Sequence, residues 1–349
     1  MTSAASPLSD EHVSSVVRAI SDSVGQPSSL ILVGSFAFGF ETPTSDIDLL
    51  AVVDHQLSDG DQTYRSYALG DLRVDVECVT TRGYLERTVK ILDLDDVSFN
   101  QLPPRQIELC HRALSGRKLF GVEVESYLIE PGSQDRLAQR LAHRNAAYMP
   151  EAFSDLRGAH LTGDLHSMCY LIRYLAELSV DAMLNLRGTC ISKPKWRQRL
   201  LSEASTHGDL GPEVNDLLFP ALCSSKAEAE ALARKVMLLS RLAQSRLYEC
   251  VKQVDEDSTS EMTKRRLRSA TWAWCFPLPG TGMFMLEAQG KRYQVSTDVA
   301  MAFYALSCRD MQRPGLSPAT ERAEPPAGRG LHIEDLARVG ALEPDIEAA

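Results

Sequence analysis

The sequence predicts an α+β protein built in three parts, and three observations carry that expectation. Residues 30 to 79 hold short β-branched apolar runs broken by Gly, Ser and Asp, as strands and their turns do. Residues 135 to 254 hold long apolar periodicities at helical spacing, and residues 271 to 295 alternate apolar residues with Pro and Gly turn signals. The expected parts are a mixed-sheet domain over 1–130, an α-helical bundle over 131–256 and a small α+β module over 266–349. A chain of 349 residues can give each part its own core.

Composition narrows the class. Hydrophobic residues make up 44% and charged residues 24%, and there is no long apolar run of the kind that spans a membrane. Residues 1 to 10 lack the basic and apolar regions of a secretory leader, so a cytoplasmic protein is expected. A net charge of −10 opposes a broad polyanion-binding surface, so nucleic acid is not an expected partner, and small neutral or cationic compounds fit better. The eight cysteines show no CxxC or other short metal spacing, which implies buried free thiols rather than zinc or disulfides.

The first domain opens with a helix over residues 10 to 24, whose Val13, Val16, Val17, Ile20 and Val24 pack on a sheet. Leu30 to Val33 is a buried strand running into Gly34-Ser35. Gly34 permits close backbone approach, Ser35 can cap a helix starting near Phe36, and the free amides there suit a phosphate. Asp46 to Val53 returns to strand character, and alternation places Asp46 and Asp48 on one face with Ile47 and Leu49 on the other. Two adjacent carboxylates repel each other unless a hard divalent cation such as Mg²⁺ sits between them. Leu72 to Val79 is a further strand, with Asp75 and Glu77 on one face.

Gly34-Ser35, ten residues, and then Asp46-Ile47-Asp48 between strand residues resembles the signature of the DNA polymerase β-like nucleotidyltransferase superfamily. The resemblance implies a mixed-sheet nucleotidyltransferase domain with Asp46, Asp48 and Asp75 as catalytic acids. Asp75 is the implied third acid and Glu77 its alternative. It further implies two Mg²⁺ ions held by Asp46, Asp48 and Asp75, with Gly34 and Ser35 holding the β- and γ-phosphates of an NTP. The acceptor hydroxyl would lose its proton to Asp75, Glu77, Glu177 or Asp181.

Between the strands, residues 54 to 67 read as a polar loop. Residues 84 to 94 and 106 to 113 read as helices, residues 114 to 121 as an edge strand or turn, and the boundary falls near 130–132. Residues 136 to 149 and 165 to 186 read as helices of the bundle. The second carries Arg173, Glu177 and Asp181 at four-residue intervals, either a salt-bridged stripe or a face toward the active-site cleft. Gly188 closes that helix, and Lys193-Pro194-Lys195-Trp196 follows. A long helix, a short turn and Lys-x-Lys-Trp resemble the helical half of small-molecule nucleotidyltransferases such as the aminoglycoside-modifying enzymes. That resemblance gives Lys193 or Lys195 a role at the triphosphate. Residues 225 to 254 read as a last bundle helix and 255 to 265 as a linker.

Short antiparallel strands over 271–295, helices over 297–308 and 332–342 and a Pro- and Ala-rich stretch over 313–329 complete the chain. This order is similar to the winged-helix modules that bind peptides, so a peptide or protein partner is expected there. The whole implies an enzyme that moves a nucleoside monophosphate, AMP above all, from an NTP to a hydroxyl of a small molecule, releasing pyrophosphate. The alternative is an antitoxin-type enzyme that adds AMP to a protein.

Overall fold

The computed structural model describes residues 8–42, 44–57, 60, 62–70, 72–121, 132–190, 194–205, 213–218, 223–247, 267–269, 272–278, 283–288, 291–295, 299–300, 303 and 342–344. The chain divides into one unit of Met1–Arg140 with Ser192–Trp196 and another of Leu141–Ile191 with Arg197–Ala349.

The first unit begins with helix α1 (Asp10–Ser23), fixed at its start by a capping box in which Ser9 Oγ accepts from the His12 amide at 3.2 Å. Five strands follow in chain order: β1 (Pro27–Val33), β2 (Ile47–Val53), β3 (Gln62–Leu69), β4 (Leu72–Thr80) and β5 (Arg117–Gly121). They form one sheet in the order β3-β4-β2-β1-β5, in which β2 and β4 run parallel and the other neighbours antiparallel. β1 and β2 are apolar on both sides because both faces are covered. Val13, Val16 and Ile20 of α1 pack on Leu30, Leu32, Leu49, Ala51, Val74 and Val76. On the opposite face Ile31, Val33, Leu50, Val52 and Val79 meet Tyr84 and Ala113. Each such buried aliphatic side chain contributes about 1.5–3 kcal/mol.

The polar loop expected over 54–67 is in part a strand. β3 is the sheet edge and buries only Thr63 fully, so it lacks the apolar alternation by which strands are read. The single helix expected over 84–94 is two, α3 (Thr81–Arg87) and α4 (Val89–Asp93), which meet at Thr88, where φ of −106° and ψ of −76° distort the turn while the hydroxyl donates to the Tyr84 carbonyl at 2.9 Å. Two more helices, α5 (Asp96–Asn100) and α6 (Pro104–Ser115), precede the edge strand β5.

Helix α7 (Ser133–Thr162) runs through Pro150 and well past the expected end at 149. The loss of one backbone hydrogen bond there is offset by burial of Met149, Ala152, Phe153 and Leu156 around it. In the second unit α8 (Leu165–Asn185) is capped by Asp164, whose carboxylate accepts from the Ser167 amide at 3.1 Å. Helices α9 (Arg197–Ser205) and α10 (Glu213–Leu218) follow, then α11 (Lys226–Leu247), joined to α8 by a buried 2.7 Å contact between the Ser179 and Ser240 hydroxyls.

The charges of α8 form an ion-pair network. Arg197 holds Asp181 with two bonds of 2.6 and 2.9 Å and lies 3.3 Å from Glu177, which also accepts from Arg173 at 2.9 Å. Burial pushes the Asp181 carboxyl up, against the opposing pull of Arg197.

The same unit takes in the carboxy-terminal strands that the sequence reading keeps apart from the bundle. β7 (Trp274–Leu278), β8 (Met283–Ala288) and β9 (Lys291–Val295) form an antiparallel sheet in the expected region, and β6 (Leu267–Ser269) pairs with β10 (Leu342–Pro344). Trp274 stacks on Phe153 at 5.3 Å, Arg241 donates to the Ala273 carbonyl at 2.6 Å, and Arg157 bonds Glu287 at 2.8 Å. Leu342, expected to end a helix, lies in β10. The linker over 255–265 and the Pro-rich stretch over 313–329 lie outside the described residues, as do most of the helices expected over 297–308 and 332–342.

Among the described residues no helix is long and apolar enough to cross a membrane. Six cysteines there are free thiols, and burial pushes Cys78 up to about 11 and Cys110 up to about 12.

Candidate active site

β1 delivers the chain to Gly34, whose φ of 72° and ψ of −155° suit glycine alone. A Cβ at this position would lie 2.2 Å from Oδ2 of Asp48, so the glycine is required by space as well as by backbone. The short helix α2 (Ser35–Phe38) starts directly after it, with Gly34 at the N-cap and no side-chain cap bond. Ser35 is therefore the first helical residue and not the cap expected from sequence.

Register brings the acids together. Asp48 on β2 is the direct partner of Asp75 on the parallel strand β4 and of Val33 on β1. Asp46 precedes the first paired residue, Ile47, and so sits on the connecting turn. Asp48, Asp75 and Glu77 share the face covered further along by α3 and α6, by strand alternation with Leu50, Val52 and Val79.

Their partners differ. Asp75 accepts from the Ser66 hydroxyl at 2.6 Å and from Arg73 Nη2 at 3.1 Å. Arg73 Nη1 lies 3.9 Å from Asp46, so one guanidinium stands between two of the acids. Asp48 faces Arg112 of α6 at 3.5 Å. Glu77 is only 2% exposed and is held by Arg87 at 2.6 Å, with Arg112 at 3.8 Å on its other oxygen. Arg87 in turn bonds Gln62. This makes Glu77 a buried, paired carboxylate, whereas Asp75 stays accessible at 30% exposure. Burial and the Glu77 charge raise the Tyr64 hydroxyl, which accepts from Arg105 at 3.0 Å.

Among the described residues no three His, Cys, Asp or Glu side chains converge closely enough to hold a metal ion. Asp46 and Asp75 turn to Arg73, and Asp48 to Arg112. The donor set nevertheless fits a hard cation, since hard oxygens from Asp48 and Asp75 lie side by side on one sheet face and Asp46 stands on the turn two residues before Asp48. What stands between two of them is a side chain 65% exposed to solvent and long enough to turn aside.

The Lys-Trp segment also joins this unit. Pro194–Trp196 forms a 3-10 turn, and the Trp196 ring packs against Phe38 at 5.0 Å and Phe40 at 5.7 Å, while Phe38 meets His111 at 5.1 Å. Trp196 thereby fixes Lys195 beside the helix that Gly34 begins; the Lys195 ammonium lies 5.5 Å from the Trp196 ring. Lys193 lies outside the described residues. Glu177 and Asp181 are engaged by Arg197 in the second unit.

Sequence reasoning missed Arg73, Arg112, Arg87 and Ser66. Arg73 carried a signal, standing two residues before Asp75 on the same strand face. Arg112 and Ser66 carried none, because only the fold brings residues 64 and nine positions apart to Asp48 and Asp75.

Residues 13–100 match the family model described as "Nucleotidyltransferase domain". This stretch, with its Gly34-Ser35 and its spaced acids, is a nucleotidyltransferase domain of the polymerase β-like superfamily, so the chain carries a nucleotidyltransferase domain. Among solved structures it is similar to a nucleotidyltransferase-like protein from Exiguobacterium sibiricum 255-15, at 15% identity over 78% of this chain and 98% of that one, with a TM-score of 0.38. A search of curated proteins gave no match.

Proposed function

We propose that the protein transfers a nucleoside monophosphate, AMP above all, from an NTP to a hydroxyl of a small molecule and releases pyrophosphate. The observation that carries this reading is the register that sets Asp48 beside Asp75, with Gly34 packed on the Asp48 carboxylate. Asp46, Asp48 and Asp75 are the residues that would hold Mg²⁺, which when bound supplies charge stabilisation to the attacking and leaving oxygens. Gly34 and Ser35 offer backbone amides to the β- and γ-phosphates, and Lys195, anchored through Trp196, supplies a cation on the same side. Lys193, two residues earlier, is proposed to act with it. Asp75, 30% exposed and paired with Ser66 and the exposed Arg73, would take the acceptor proton, whereas Glu77 is buried between two arginines.

The test is incubation with each of the four NTPs, Mg²⁺ and a panel of hydroxylated small molecules, followed by mass spectrometry. The expected product is an acceptor heavier by one nucleoside monophosphate, with equimolar pyrophosphate. Labelling of added proteins with no small-molecule product would replace this reading with a protein-modifying one.

A further inference from the structure

Arg73 touches two of the three proposed metal ligands, at 3.9 Å from Asp46 and 3.1 Å from Asp75, and its neighbours explain why that matters. The site groups four acids, Asp46, Asp48, Asp75 and Glu77, with three arginines, Arg73, Arg87 and Arg112. The formal sum is one negative charge. Arg87 and Arg112 are at most 17% exposed and tied to Glu77, so they are fixed parts of the wall. Arg73 is 65% exposed, projects from β4, and has solvent to move into. Take Arg73 away and the remaining charge is −2, which matches a divalent cation.

We propose that Arg73 is a resident counter-cation of the carboxylates, which keeps free divalent cations out until the phosphates of a nucleotide draw its guanidinium away. This rests on the nucleotidyl-transfer reading above. Released from Asp46 and Asp75, the guanidinium offers phosphate oxygens the same two-pronged geometry that it offers Asp75. Metal and nucleotide then bind with positive coupling beyond their own association in solution, and the coupling is reciprocal. The arrangement would keep the empty enzyme from holding a metal that has no substrate.

Calorimetric titration of the full chain with Mn²⁺, alone and with the non-hydrolysable analogue α,β-methylene-ATP, tests this. Arg73→Gln is expected to bind Mn²⁺ alone at least tenfold more tightly than wild type, and Arg73→Lys to stay within threefold. Arg82→Gln, which removes an exposed arginine paired with Glu86, is expected to change nothing and controls for general charge loss. The factor by which the analogue tightens Mn²⁺ is expected to fall in Arg73→Gln, and because chelation by the analogue itself is common to both proteins, only the difference is read. Equal Mn²⁺ affinity in wild type and Arg73→Gln, with both folded by circular dichroism, overturns the proposal. A gain of Mn²⁺ affinity in Arg73→Gln with no analogue bound to either protein keeps the counter-cation role and overturns the nucleotide reading instead.

Discussion

Gly34 and Asp48 meet so closely that the carboxylate fills the space a side chain at position 34 would need, with Oδ2 2.2 Å from a Cβ built there. Gly34→Ala is therefore expected to cost on the order of 1–3 kcal/mol in stability through its left-handed backbone alone. It should also push Asp48 out of line with Asp75. Urea unfolding and transfer rate measured together would show both losses; a stable variant with full turnover contradicts the geometry.

Asp46 and Asp48 should differ in what their loss does to the fold. Asp46 lies on a turn and Asp48 in the ladder against Arg112. Asp46→Asn and Asp48→Asn are both expected to lower transfer by more than a hundredfold. Only Asp48→Asn should shift the unfolding midpoint, because it takes charge from a mostly buried arginine. Near-normal turnover of either variant with Mg²⁺ present would remove the acid pair from the chemistry.

The neighbouring pair Asp75 and Glu77 separates catalysis from stability. Glu77→Ala leaves Arg87 and Arg112 buried without their shared carboxylate, and a loss of about 3–5 kcal/mol is expected. Asp75→Asn, on an accessible carboxylate, should leave the melting temperature within a few degrees while abolishing transfer. The reverse pattern would exchange the roles assigned to them.

Deleting residues 264 to 349 bears on how separable the last strands are. Trp274 is fully buried against Phe153, and Arg241 gives its hydrogen bond to Ala273. The shortened chain is expected to lose solubility or to melt at a lower temperature than the full one. A truncated protein as stable as the full chain would mean these strands are an independent module after all.

The sheet's centre was legible in the sequence because β1, β2 and β4 are buried on both sides and written as apolar runs. Asp48 and Asp75 stand out in the sequence because they interrupt those runs where no core requires a charge, and Asp46 because it stands two residues before Asp48. What escaped was whatever depends on tertiary partners. Thr88 marks a distorted turn between two helices while its hydroxyl bonds back to Tyr84, Pro150 is absorbed by the burial around it, and Arg112 reaches Asp48 from another element. Lys195 could be suspected from its neighbourhood in sequence, but only the packing of Trp196 on Phe38 relates it to Gly34.

β3 has a consequence for the life of the protein in concentrated solution. A sheet edge is a template for a second copy, and a long apolar one invites association. Here the edge carries Gln62, Tyr64, Arg65 and Ser66, and Arg65 folds back so that its guanidinium donates to the Tyr64 carbonyl at 2.9 Å and to Thr63 at 3.0 Å. The polarity that makes β3 hard to see as a strand also makes it a poor mate for another strand, and Arg65→Val would be the simplest way to turn a discreet border into a sticky one.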